Sequence, residues 1–191
     1  SLLRDGSLAG DSTSLFLSSV PTTGLHRTQT EIRNRKSLRE TNLGAVLSYD
    51  TRALQSGIVY HYTHYGFPIL SPQNIYNGFY FRGSENTNVG AYLNYNFYNT
   101  TFFSEFAQIY GSGKAVVAGL LTSLTSKFDV SFLYRHYDRD FHSLYGNAVS
   151  ENIAIRNEKG YYLGWKYKFN KRNMLAGYTD FFKFPWIRYR G

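Results

Sequence analysis

The chain has 191 residues, 18 tyrosines, 15 phenylalanines, no cysteine and a net charge of +8. That suits one domain and excludes disulfide staples and cysteine-based metal or nucleophile chemistry. No apolar run is long enough for a transmembrane helix, and the mean hydropathy of −0.38 is wrong for a helical membrane protein. The basic excess is assigned to loops and lumen near anionic headgroups, and with no nucleic-acid-binding motif no nucleic-acid partner is expected.

Taken in order, residues 1–23 are rich in Ser, Thr and Gly, with a short strand expected at 15–20 that Pro21 and Gly24 end. Residues 25–40 are strongly basic. Thr28 followed by Glu31 fits a capping box, and Ile32, Arg35, Lys36 and Arg39 follow at helical spacing. A short helix is expected there, forming a plug-like or periplasmic segment over 1–41; a solvated loop helix accounts for it equally well. Strands are expected from Asn42 onward, over 42–50, 57–65, 76–84, 87–98, 101–110, 114–125, 128–138, 159–169 and 173–182, with another starting near Phe184. Loops are expected at 67–75, broken by Pro68 and Pro72, and at 139–158.

Residues 89–97 are the most informative segment. Val89, Ala91, Leu93, Tyr95 and Phe97 share one face, and Gly90, Tyr92, Asn94 and Asn96 share the other. Residues 159–169 repeat the pattern, with Tyr161, Leu163, Trp165, Tyr167 and Phe169 set against Tyr162, Gly164, Lys166 and Lys168. Strands near ten residues long, apolar on one face and polar on the other, match the spans of a transmembrane β-barrel. Soluble sandwiches use strands of about five or six residues. The expected fold is therefore all-β: an antiparallel transmembrane barrel over 42–191, part of a larger barrel. Tyr49, Tyr60, Leu93, Tyr95, Phe97, Tyr161, Leu163, Trp165 and Tyr167 are the lipid-facing or girdle candidates. Arg33, Arg35, Arg39, Arg135, Lys166 and Lys168 are the lumen or plug candidates. Short turns near 51–54, 111–113, 125–127 and 170–172 cannot all lie at one end of such a barrel. Either one strand boundary is wrong or one external loop is short.

Three stretches carry a resemblance: TGLHRTQTEIRNRKSLRE (23–40), YRHYDRDFHSLYGNAVSEN (134–152) with RNEKGYYLG (156–164), and DFFKFPWIRYR (180–190). They resemble the barrel part of large Bacteroidota outer-membrane proteins whose precursors carry helix-hairpin-helix repeats. No such repeat is present in these residues. The resemblance implies a bacterial outer-membrane location, more strands than these, no catalytic residues, no cofactor, and contacts with outer-membrane lipid and other envelope proteins. With no signal peptide at the start and a strand-like run at the end, the chain is expected to be an internal part of a longer precursor.

Chemistry-bearing motifs are sparse. Asp138, Asp140 and His142 suggest a rim-loop hydrolase in which a carboxylate orients an imidazole. A charged loop with pairing through Arg135 and Arg139 explains the same residues and is preferred. His61 and His64 fall on opposite strand faces, against one metal site. Gly111-Ser112-Gly113-Lys114 is a hairpin turn, too short for a phosphate loop. The expected function is a noncatalytic barrel subunit of a transport or secretion assembly, with a passive porin-like channel as the alternative.

Overall fold

The computed structural model describes residues 1–10, 15–20, 26–70, 74–152 and 154–188. Among these it forms eleven strands and one short helix. The elements are β1 (Leu2–Arg4), β2 (Ser7–Ala9), β3 (Phe16–Ser19), α1 (Gln29–Asn34), β4 (Leu38–Asp50), β5 (Leu54–Ile69), β6 (Gly83–Phe97), β7 (Thr100–Ile109), β8 (Lys114–Thr125), β9 (Phe128–Tyr137), β10 (Glu158–Lys168) and β11 (Met174–Lys183). The sheet runs β1-β4-β5-β6-β7-β8-β9-β10-β11, with β3 joining β2 and β5. The fold is all-β and, apart from the single parallel bridge of β3 to β5, its described pairings are antiparallel. The chain divides into two compact units, one built from 1–44 and 61–87, the other from 45–60 and 88–188.

In the first unit the capping box forms as the sequence predicts. The Glu31 amide donates to Thr28 Oγ1, and the Glu31 carboxylate accepts from the Thr28 and Arg27 amides. Those two amides hold the Glu31 carboxyl below its usual range. The helix stops after six residues. The Asn34 carbonyl accepts from the Gly6 amide, Ser37 Oγ donates to the Gly6 carbonyl, and the Lys36 amide donates to Asp5. These ties pull the chain into β4, which starts at Leu38 opposite Arg4, so residues 38–41 are strand. Leu17 and Leu38 are fully buried here.

Three expected boundaries are corrected. Residues 67–69 belong to β5, because the Leu70 amide donates to the Leu17 carbonyl and Ile69 pairs with Leu17. Pro68 is tolerated near the strand end, where its missing N–H breaks little of the ladder. The strand expected at 76–84 is instead mostly a turn. Asn74 Oδ1 accepts from the Tyr76 and Asn77 amides, and the Asn74 amide donates to Asn77 Oδ1. Residues 184–188 are likewise not strand: the Asn157 side chain holds Trp186 by its backbone N–H and C=O. The breaks assigned to Pro21, Gly24 and Pro72, and residues 189–191, lie outside the described residues.

The second unit is a meander. Its short connections, at 51–53, 98–99, 126–127 and 169–173, alternate with those at 110–113 and 138–157. With the 76–84 strand gone, the conflict of ends resolves: 110–113 is a short connection on the long-loop end. Across the strands, rings lie over glycines, where a Cβ would collide with them. Tyr92 covers Gly57, Phe103 covers Gly119, and Trp165 covers Gly177.

Candidate functional site

The registers of β6 to β11 sort the side chains of these strands onto two faces. On one face, Tyr95 pairs with Phe102, Phe102 with Leu120, Leu120 with Phe132, and Phe132 with Leu163. One step along, Ala118 meets Tyr134, Tyr134 meets Tyr161, and Tyr161 meets Phe181. Among the described residues no second layer covers this apolar face: Leu163 is 49% exposed and Trp165 38%. All nine girdle candidates, Tyr49, Tyr60, Leu93, Tyr95, Phe97, Tyr161, Leu163, Trp165 and Tyr167, are exposed. Contiguous exposed apolar surface beyond a few hundred Å² is uncommon on monomeric soluble proteins.

The opposite face carries the charge. Arg135 on β9 donates through Nε to Glu158 on β10 at 2.5 Å and through both terminal nitrogens to Asp180 on β11 at 3.0 Å. Arg135 and Glu158 are fully buried. The planar guanidinium presents its five donors in a fixed fork, which lets it bind Asp180 bidentately while Nε binds Glu158. Glu158 also accepts from Ser150 Oγ and the Glu151 amide, so the same network anchors the 138–157 loop. Tyr137 Oη donates to the Val149 carbonyl, and Phe141 packs with Ile109, Ala115 and Tyr137. The loop thus folds back over the polar face. Farther along that face, toward the short turns, Lys166 and Lys168 both reach Asp129, at 3.2 and 3.3 Å.

Arg33 and Arg35 are exposed at the end of α1, and Arg39 is exposed beside the buried Leu38 and Glu40. The first unit has its own buried polar set, which sequence reasoning missed. Glu40 binds Arg4 at 2.6 Å and accepts from Asn42, which in turn accepts from Thr63. In the 138–142 segment Asp138 pairs with His136 at 2.8 Å, not with His142, and also accepts from the Lys114 amide. Burial opposes ionisation of Asp138, but these bonds hold its carboxyl below the usual range. The Asp140 carbonyl accepts from Ser112 Oγ. His142 is pushed down to about 4, first by burial and then by the nearby Arg156 charge. His64 lies 3.4 Å from Glu85. Among the described residues no group of three or more His, Cys, Asp or Glu is placed to hold a metal.

Comparison with protein-family models, curated proteins and solved structures finds no match.

Proposed function

We propose that this chain forms wall strands of a transmembrane β-barrel in a bacterial outer membrane, serving as a noncatalytic subunit of a transport or secretion assembly. The observation that carries this is the uncovered apolar face spanning β6 to β11, backed by a face of buried ion pairs. In water such a face lacks a partner. In a bilayer, hydrocarbon covers it, and the polar face becomes the lumen wall. The inward-folded 138–157 loop favours an occluded lumen and hence an assembly role. The proposal agrees with the motifs that resemble Bacteroidota barrel proteins. The open space beside Lys166 and Lys168 favours a second reading, a passive solute channel, and single-channel conductance separates the two.

The test uses the chain's two tryptophans. In a Trp186→Phe variant only Trp165 fluoresces. Lipids brominated midway along the acyl chain are expected to quench it strongly, and aqueous iodide weakly. Strong iodide quenching with none from bromolipid overturns the membrane assignment.

A further inference from the structure

We propose that the polar face near the short turns holds a binding site for an acidic saccharide. A hollow of about 630 Å³ opens there, lined among others by Thr101, Ser123, Ser131, Tyr162, Lys166 and Tyr178. This is the size range of small-molecule sites. Three features of it converge on one class of ligand.

The first is charge. Both lysine ammoniums approach the same Asp129 oxygen, while Ser123 Oγ donates to the other. One carboxylate therefore serves two cations, and the local balance is +1. Each ammonium has three donors and is partly open to solvent, at 42% and 45% exposure. Donors remain for a ligand anion. The second is a ring platform. Tyr162 and Tyr178 stack at 5.6 Å with planes 22° apart, and Tyr178 is 72% exposed, leaving ring surface for a flat apolar partner. The third is a set of hydroxyls, from Thr101, Ser123 and Ser131, suited to a ligand rich in hydroxyl groups. A sugar ring presents C–H groups to aromatic faces and hydroxyls to its rim, and a uronate adds the anion the lysines call for. An inorganic anion would leave the tyrosine platform idle, and a neutral sugar would leave the lysines idle.

The proposal rests on the polar face being a solvated lumen wall, and it names the solute class for that wall. The experiment is calorimetric titration of the folded chain in detergent, with trigalacturonate, maltotriose and inorganic phosphate as probes. Trigalacturonate is expected to bind saturably, about tenfold tighter than either other probe. Lys166→Gln/Lys168→Gln is expected to lower its affinity about tenfold and to flatten the salt dependence. Tyr178→Ala, at an exposed ring, is expected to weaken trigalacturonate several-fold and to leave phosphate unchanged. Circular dichroism confirms that each variant keeps its strand content. Absence of saturable trigalacturonate binding, equal binding of maltotriose, phosphate binding as tight as trigalacturonate, or indifference to the double substitution overturns the proposal. Trp165 quenching by bromolipid is unaffected by any of these results, so a failed ligand and a failed barrel are told apart.

Discussion

Leu163→Arg separates a lipid-facing surface from a wet one. Leu163 lies in the middle of β10, between Phe132 and Thr179 on the apolar face, and is half exposed. In water, arginine at an exposed strand position changes stability by no more than about 0.5 kcal/mol. At the middle of a bilayer the same change costs about 2–4 kcal/mol. Leu175 is the control. It is equally exposed, lies on the same face, and pairs with Tyr167, four residues along β10 from Leu163. In the proposed barrel, at about 3.4 Å per residue and a strand tilt of about 40°, that would be about 10 Å nearer the membrane surface. The apolar band of such barrels is about 25 Å tall, so Leu175 falls close to its boundary, where arginine costs about 0–1 kcal/mol. Urea titration of folding into lipid vesicles, followed by the gel shift of folded barrels in cold detergent, measures both. The expected difference between the variants is about 1–4 kcal/mol. Equal stabilities, or a neutral Leu163→Arg, refute the lipid assignment.

Removing the cation of the buried network in Arg135→Ala leaves Glu158 and Asp180 uncompensated and is expected to cost about 3–5 kcal/mol; trypsin cleavage at Arg139 and Arg156 should accelerate as the loop loses its anchor. His142 binds its proton more weakly in the folded chain than in the unfolded one. The unfolded state therefore takes up protons first as pH falls. Loop stability should be full above pH 6.5 and decline toward pH 4, by at most ~3 kcal/mol because the ring is only partly shielded, and a His142→Gln variant should lose this slope in a proteolysis profile. Thr28→Ala should cost about 1 kcal/mol of local helix stability, seen as faster hydrogen exchange at the Glu31 amide with no change in the sheet. Gly119→Ala should destabilise by about 1–3 kcal/mol, measured by urea titration, since its new Cβ would stand 2.5 Å from both the Phe103 ring and the Phe132 carbonyl oxygen.

Much of the strand pattern was legible because it is local. Alternation at 89–97 and 159–169 needs only a residue and its second neighbour, and β6, β8, β9 and β10 fall within a few residues of expectation. The capping box at Thr28 and Glu31 was equally local. What escaped depended on distant partners. Pro68 marks a loop until Leu17 is seen to hold the next residues. Tyr76 and Tyr80 suggest a strand until Asn74 and Asn77 claim the backbone. Arg135 could be placed on the polar face, but Glu158 and Asp180 meet it only through registers that place Gly160 opposite Arg135 and Asp180 opposite Tyr162. Parity alone assigns a face, and register is needed to choose neighbours on it.

The rings seated over glycines bear on how such a chain finds its pairing at all. Strands this alike offer many near-equivalent alignments, and a slip of two residues keeps every side chain on its proper face. It would, however, drive Trp165 from Gly177 onto Leu175 or Thr179, and Phe103 from Gly119 onto Val117 or Leu121, while leaving each glycine bare. The smallest residues in the sheet thereby act as alignment marks, penalising the very errors that the hydrophobic pattern cannot detect.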